Sequence, residues 1–281
     1  AVVSAGNSGA MLAASLFAMK RAPGVSRPAI GAAFPNRTGR TFILDVGANT
    51  ECRPEWLAQF AVMGDVYART MMGVARPRLA LLSNGEESEK GSQLVQQAHP
   101  LLAALELHFI GNVEARDLFS GACDVAVCDG FSGNVVLKAA EGVAEFLFAS
   151  IREQASTSLA GKLGGVLLRS RLRPLRDSVD YRHTGGALLL GVRGEAVIAH
   201  GRSDALAIVN AIRVARAAME QNVSEAIATA LGRTAVTNET ASGAAAARPE
   251  VAQTAPGAAS APSRAAGVPS AGRPAAEERP A

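Results

Sequence analysis

Short apolar runs alternate along this chain with longer segments whose apolar positions recur at helical spacing, and the junctions are rich in Gly, Asn, Ser and carboxylates. The stretch from Asp124 to Phe148 is the clearest case. Val125 to Cys128 has the continuous apolar character of a buried parallel strand, Gly130 and Gly133 punctuate a loop, and Val136, Ala140, Val143 and Leu147 then follow a helical period. The pattern predicts a strand, a glycine-rich loop and a helix beginning near Asn134. The same grammar recurs where Ala1–Val3 leads through Ser4–Gly9 into Ala10–Met19, where Thr41–Leu44 enters Asp45-Val-Gly-Ala-Asn49, and where Leu79–Leu82 enters Ser83–Glu87.

The remaining elements follow from turn chemistry and caps. Pro28–Phe34 and Arg40–Asp45 flank Asn36-Arg-Thr-Gly39, which predicts a hairpin with a four-residue connection. Pro54 opens a helix through Trp56, Phe60, Met63 and Tyr67 to about Met72, with Trp56 and Tyr67 read as core. Glu86–Lys90 reads as the acidic start of a helix ending near Pro100. Leu107–Ile110 is a strand and Gly111–Asp117 a loop entering a short helix. Gly185–Val192 and Ala196–His200, around Arg193-Gly-Glu195, predict a second hairpin. Ser203-Asp204 caps a helix from Ala205 to about Gln221, and a last helix carries Ile227 and Leu231. The alternation gives an α/β fold, a mainly parallel open sheet with helices on both faces and right-handed crossovers.

A helix starting behind a glycine-rich loop leaves its first N–H groups unpaired, and their partial positive charge can hold an anion such as phosphate. An ordinary turn between strand and helix would leave the same signature. Several such loops at strand carboxyl ends would converge on one edge of an open sheet, where these folds bind ligands. That convergence is the site hypothesis.

From Ser156 the character changes. Leu159, Leu163, Val166, Leu167, Leu168, Leu172 and Leu175 are interleaved with Lys162, Arg169, Arg171, Arg173 and Arg176, with no acid before Asp177. A basic amphipathic segment of this kind suits either a membrane interface or a helical hairpin packed on a partner subunit. The segment from Thr234 to Ala281 is dominated by Ala, Pro, Ser and Gly and is expected to be disordered, because it cannot bury enough apolar surface to offset its ordering entropy. The organisation is therefore a domain over residues 1–233 and a tail over 234–281.

Composition narrows the function. The 281 residues are 48% hydrophobic but only 4% aromatic, so the core should be Ala, Val, Leu and Gly closely packed. No run reaches about 18 apolar residues, which argues against a spanning helix. The balance of 28 basic and 25 acidic residues, net +3, gives no case for nucleic-acid binding. Cys52, Cys123 and Cys128 look like reduced packing thiols, and the four histidines lack the spacing of a metal site, so no metal is expected. The chain starts without Met inside an expected strand, which reads as a fragment lacking its upstream part.

Taken together, the motifs resemble the PlsX family, the phosphate acyltransferases of phospholipid synthesis. The matching stretches are Ser4-Ala-Gly-Asn-Ser-Gly-Ala10, Leu44-Asp-Val-Gly-Ala-Asn49, Gly85-Glu-Glu87 with Lys90-Gly91, Gly111-Asn-Val-Glu114, Cys128-Asp-Gly-Phe-Ser-Gly-Asn-Val-Val-Leu-Lys138, Gly185-Gly186 with Leu189-Leu-Gly-Val192, and His200-Gly201 with Asn210-Ala-Ile212. They run in family order to about residue 231. The family's opening Asp-x-Met-Gly-Gly-Asp unit is absent, and Ser8 stands where Thr is usual.

The resemblance implies transfer of a fatty acyl group from acyl carrier protein to inorganic phosphate, without a cofactor. It also implies a fold similar to the isocitrate and isopropylmalate dehydrogenases and the phosphotransacetylases. A cytoplasmic homodimer, peripherally membrane-associated through Leu163, Val166, Leu167, Leu168, Arg169 and Arg171, is implied as well, together with contact to the downstream glycerol-3-phosphate acyltransferase. Candidate phosphate or oxyanion contacts are Ser4, Gly6, Asn7, Ser132, Gly133 and Asn134, and the family motifs add Gly185, Gly186 and His200. Lys138, one turn beyond Asn134, is a candidate cationic clamp or a solvated helix lysine. Asp45, Asn49 and Asp129 at strand ends orient phosphate, a base or a water, or else cap the following helix. Cys128 is read as a buried, inert thiol. Rival readings are a phosphotransacetylase-like transfer to coenzyme A and a non-catalytic membrane-bound scaffold; a dehydrogenase is weaker, since no Gly-x-Gly-x-x-Gly loop is present.

Overall fold

Residues apolar on both sides of the chain need cover on both faces, and the strands that carry them sit inside an eight-stranded sheet. The structure, a computed structural model, describes residues 1–246; most of the expected tail, residues 247–281, lies outside the described residues. Residues Ala1–Ala241 form one unit and Ser242–Ala281 a second, and the fold below is that of the first.

The strands are β1 (Val2–Ser4), β2 (Ala29–Asn36), β3 (Gly39–Leu44), β4 (Leu79–Leu82), β5 (Phe109–Val113), β6 (Val125–Val127), β7 (Ala187–Leu190) and β8 (Ala196–Ile198). The helices are α1 (Ser8–Ala18), α2 (Pro54–Met71), α3 (Gln93–Ala103), α4 (Gly130–Ser156), α5 (Leu159–Val179), α6 (Tyr181–Thr184), α7 (Ala205–Glu220) and α8 (Val223–Ala246), with a short 3-10 helix over Ala115–Phe119. The order across the sheet is β1-β8-β7-β2-β3-β6-β4-β5. It is a mostly parallel, open α/β sheet: β1 with β8, and β3, β6, β4 and β5 in turn, pair in parallel. Antiparallel pairing is confined to the two expected hairpins, β2 with β3 and β7 with β8, and to the β2–β7 pair that joins them.

Those hairpins decide where the strand ends meet. β1 and β8 run opposite to β3 and β6, so their carboxyl ends do not share one edge, as the simple convergence picture expects. They meet over β2. Leu44, which ends β3, pairs with Gly31, and Leu188 also pairs with Gly31, one step from the Ala187–Ile198 pair that ends β8. Gly31 has no alternative at this junction, because a Cβ there would lie 2.0 Å from the Phe42 ring.

Alternate strand residues feed two cores, as a two-residue period requires. Phe42, Leu44, Leu79, Leu81, Val125 and Val127 pack with α2, α3, α7 and α8 through Leu57, Phe60, Leu102, Ala211 and Ile227. Ile43, Ala80, Ala126, Cys128 and Ile198 pack on the other face with Met11 of α1 and Leu118, and with the partly buried Val136 and Leu137 of α4. Tyr67 is core as expected, stacked on Phe42 with ring centroids 3.7 Å apart, a contact worth about 0.5–1.5 kcal/mol beyond its burial.

Several boundaries differ from the sequence reading. Residues 86–90 are loop, not helix; α3 starts only at Gln93, where Ser92 accepts the Val95 N–H, and it runs through Pro100 to Ala103. β5 includes Gly111 and Asn112, read as loop. α4 starts at Gly130, four residues before Asn134. The β2–β3 turn tightens to Arg37-Thr38, between paired Asn36 and Gly39. α8 extends to Ala246, past the expected 233 boundary.

Candidate functional site

The loop after β3 is built around one carboxylate. Asp45 is fully buried, and its Oδ1 accepts the N–H groups of Ile30, Gly47 and Ala48 at 3.1, 2.9 and 2.9 Å. Its Oδ2 accepts the Asn49 N–H and Nδ2 at 2.8 and 2.9 Å. Burial raises the Asp45 pKa above the ordinary carboxylate value, and these hydrogen bonds only partly offset it. Asn49 Nδ2 also donates to the Pro28 carbonyl at 2.8 Å, so the loop is tied to the start of β2.

Onto this loop the first turn of α4 docks at glycine distance. Gly130 N–H donates to the Asn49 carbonyl at 2.7 Å. A Cβ on Gly130 would lie 2.6 Å from that same oxygen, and one on Gly133 would lie 1.9 Å from the Asp45 carbonyl oxygen. Asp129 caps the helix, accepting the Ser132 N–H and hydroxyl, each at 2.8 Å. Cys128 lies buried beneath, its thiol 3.4 Å from the Asp45 carbonyl, and desolvation pushes its pKa well above the usual thiol value. Such a thiol is packing.

Above this platform is a cavity of about 390 Å³. Ile30 and Ala32–Pro35 of β2 form its floor, and Val46, Gly47 and Thr50 one wall. Three helix N-termini open into it. Ser8 begins α1 behind the Asn7 cap, whose Oδ1 accepts the Ala10 N–H at 3.0 Å. Gly130, Phe131 and Asn134 come from the start of α4. Ser203 and Ala207 flank the start of α7, where Asp204 accepts the Ala207 N–H at 2.9 Å. Gly186, His200, Lys138 and Glu141 also line it.

Polar groups here are not all consumed. The N–H groups of Ser8 and Gly9 have no protein acceptor among the described residues. The Ser203 hydroxyl is buried without a hydrogen-bond partner among them. Lys138 Nζ pairs with Glu141 at 2.8 Å, the lysine half exposed and the glutamate one quarter exposed, and His200 Nδ1 accepts the Arg202 N–H at 3.1 Å. Each exposed helix N-terminus favours an anion by about 0.3–1 kcal/mol, more where partly buried, so three acting on one hollow make it anion-seeking.

Of the residues singled out from sequence, Asn134, Lys138, Gly186 and His200 line the cavity. Asp45, Asn49, Asp129, Ser132 and Gly133 form the supporting platform instead, their polar atoms spent on the loop and the α4 cap. Ser4 and Asn7 are likewise occupied: Ser4 Oγ accepts the Gly6 N–H at 3.2 Å and Asn7 caps α1. Gly185 ends α6 and packs against Asn210 and Val214 of α7. Ser8, Gly47, Phe131, Glu141 and Ser203 line the cavity without having been named as site residues; Ser8, Gly47 and Phe131 sit inside the quoted motifs, and Ser203 is read from sequence only as part of a helix cap.

The basic apolar segment is α5, which folds back on α4 as a hairpin. No α5 residue is buried; Leu163, Val166, Leu167 and Leu168 are exposed, Leu167 by 70%. Arg169 and Arg171 are exposed on the same helix. Among the described residues no helix is long and apolar enough to cross a membrane, and no group of three or more His, Cys, Asp or Glu side chains could hold a metal ion.

Comparison with known proteins matches residues 1–226 to the family described as "Fatty acid synthesis protein". A phosphate acyltransferase of Syntrophotalea carbinolica is 50% identical over 232 residues, which cover 83% of this chain and 67% of the relative. One from Geobacter sulfurreducens is 48% identical over 228 residues, covering 81% and 66%. The chain thus spans about two thirds of the length of these relatives. Among solved structures, EutD phosphotransacetylase from Staphylococcus aureus superposes with a TM-score of 0.43 at 17% identity, over 78% of this chain and 58% of that one.

Proposed function

The chain belongs to the fatty acid synthesis protein family, the PlsX-type phosphate acyltransferases, and from that premise we propose that it moves a fatty acyl group from the thioester of acyl carrier protein to inorganic phosphate, yielding an acyl phosphate for phospholipid synthesis. The observation that carries the reading is the meeting of three helix N-termini in one cavity beside unspent N–H groups.

In this reading phosphate sits against the starts of α1 and α7, within reach of the Ser8 and Gly9 amides and the Ser203 hydroxyl. A phosphate oxygen attacks the thioester carbonyl, forming the new C–O bond as the C–S bond breaks, and the departing thiolate takes up a proton. The Asn134 side chain faces the developing oxyanion; one such donor is worth about 2.7–4 kcal/mol in a preorganised site. Lys138 exchanges Glu141 for the arriving phosphate. No covalent enzyme intermediate is needed, which agrees with the inert Cys128.

Incubation with an acyl carrier protein thioester, phosphate and competing coenzyme A discriminates the readings. Acyl phosphate supports the proposal, acyl coenzyme A supports a phosphotransacetylase-like transfer, and neither product leaves the scaffold. Lys138→Ala should raise the phosphate KM about tenfold, the loss of one charge-assisted contact; unchanged phosphate kinetics remove Lys138 from the site.

The exposed apolar face of α5 and its Lys162, Arg169, Arg171 and Arg173 support peripheral attachment to an anionic membrane, each basic residue adding about 1 kcal/mol near the surface. A second copy of the chain on the α4–α5 hairpin, as a cytoplasmic homodimer, and handover of product to the downstream glycerol-3-phosphate acyltransferase at that membrane, belong to the same proposal.

A further inference from the structure

A site for anions is expected to be free of carboxylates, and this cavity is not. Among the described residues that line it, Glu141 is the one acid and Lys138 the one lysine or arginine. Both sit on α4, a turn apart, with Lys138 Nζ 2.8 Å from Glu141 Oε2. Lys138 lines this cavity and none of the other hollows along α4, so the pairing holds the carboxylate at the cavity. The second oxygen of Glu141, Oε1, accepts no hydrogen bond from the described residues.

The other polar groups of the cavity are chiefly donors. The Ser8 and Gly9 amides, the Asn134 side-chain amide and the Ser203 hydroxyl can each hold an oxygen. They favour a tetrahedral oxyanion but cannot tell phosphate from sulfate, which share size and geometry. A carboxylate can. At contact distance it repels an anion more strongly than one helix N-terminus attracts it. The repulsion gives way to a charge-assisted hydrogen bond when the anion carries an O–H to donate, and such bonds are roughly twice as strong as neutral ones. At neutral pH phosphate keeps a proton and sulfate has none. Once Lys138 turns from Glu141 to the arriving anion, the carboxylate faces that anion without a counter-charge, and only a proton-bearing anion satisfies it.

We propose that Glu141 makes the cavity selective for phosphate, its carboxylate accepting the hydrogen of the P–O–H group while the donors hold the remaining oxygens. The proposal rests on the acyl-transfer reading for the identity of the anion and adds to it the reason sulfate is excluded. No proton leaves phosphate in this contact. Glu141 is an acceptor only, and the oxygen that attacks the thioester is one of the others.

Four anions separate the proton from size. Phosphate and arsenate carry an O–H at neutral pH, sulfate and selenate do not, and each proton-bearing anion has a counterpart of matching size. Calorimetric titration of the intact chain gives Kd for each. Wild type should prefer phosphate to sulfate, and arsenate to selenate, by at least about tenfold, the worth of one hydrogen bond to a charged group. In Glu141→Gln, whose amide can donate to a bare oxygen, both preferences should fall at least about tenfold through tighter sulfate and selenate binding. Glu141→Ala, which removes the repulsion without adding a donor, should lower both preferences as well. If Glu141 serves only as the counter-ion of Lys138, its removal strengthens all four anions alike and leaves the preferences as in wild type, which overturns the proposal. A wild type without either preference, or one that binds none of the four, overturns it too. Acyl phosphate formation from the acyl carrier protein thioester keeps the premise separate. If no acyl phosphate forms while the anion preferences follow Glu141, the acyl-transfer reading falls and the selectivity assignment stands. If acyl phosphate forms and the preferences ignore Glu141, the assignment falls alone.

Discussion

Replacing Gly133 with Ala sets two quantities of similar size against each other. Inside a helix the change should stabilise, since Ala exceeds Gly in helix propensity by about 1 kcal/mol. At Gly133, however, the added methyl would lie 1.9 Å from the Asp45 carbonyl oxygen and 2.9 Å from the Cys128 Sγ. Neither neighbour can swing away, because the Asp45 N–H is bonded to the Cys128 carbonyl at 3.0 Å and the Asp45 carboxylate holds the following loop. The helix must retreat instead, by about 1 Å, at an overpacking cost of about 1–3 kcal/mol. The steric cost less the propensity gain leaves a net loss of up to about 2 kcal/mol, which lowers Tm by up to about 8 °C for a domain of this size. The same retreat misplaces the wall of the anion cavity, and a misplacement of about 1 Å costs on the order of 100-fold in a positioned site. Gly142→Ala is the control, because a Cβ there meets no heavy atom within 4 Å and collects the propensity gain alone. Urea unfolding and acyl phosphate formation measured on both variants provide the check. If Gly133→Ala proves as stable and as active as Gly142→Ala, the tight docking of α4 on the Asp45 loop is not what positions the site.

Two further changes probe the framework and the hairpin. Asp124 titrates below the ordinary carboxylate value: burial opposes its ionisation, but Arg78 outweighs that with its backbone N–H at 2.8 Å, Nε at 3.1 Å and Nη2 at 2.9 Å. The stabilisation is therefore present above the unfolded value of 3.8 and is lost as pH falls through the lowered folded value. Arg78→Ala should cost about 1–2 kcal/mol at pH 7, discounted for its partial exposure, and unfolding curves of variant and wild type should draw together in strong acid; a gap independent of pH would refute the charge origin. Leu167→Glu with Leu168→Glu, at positions 70% and 55% exposed, should leave the unfolding free energy from urea titration within about 0.5 kcal/mol of wild type while weakening flotation with anionic liposomes. Undiminished flotation removes α5 from the membrane contact.

How much of this was legible beforehand differs between elements for physical reasons. Strands such as Leu79–Leu82 and Val125–Val127 declare themselves because both faces are covered, and hairpins because Asn36–Gly39 and Arg193–Glu195 are strong turn sequences. The helical start at residue 86 misled because acidic residues suit a first turn as well as a solvated loop, and only Ser92 supplies the actual cap. Glycine-rich loops were rightly marked as important, yet sequence could not divide their residues between cavity and platform. Asp45 and Asn134 look equally catalytic on paper, and the difference is that five donors enclose the first while the second faces the hollow. Ser203, read only as part of a helix cap, was not marked as a site residue because its cavity position depends on residues of β2, α1 and α4 that are far away along the chain.

β2 belongs to two ladders at once, paired with β7 through Ala29–Gly31 and with β3 through Gly31–Asn36. Adding or deleting one residue near Gly31 would turn the side chains of half the strand over, setting Phe34 and Pro35 on the wrong side while the other half kept its partners. The tip at Arg37-Thr38, by contrast, has no ladder pairing and is tied by the Arg37 N–H to the Phe119 carbonyl at 3.0 Å, so an added residue there costs less than one in the paired strand. Length variation in this stretch should therefore collect at the tip, and a library of single-residue insertions scanned across 29–40 should show a sharp boundary between lethal and neutral positions at the end of the paired strand.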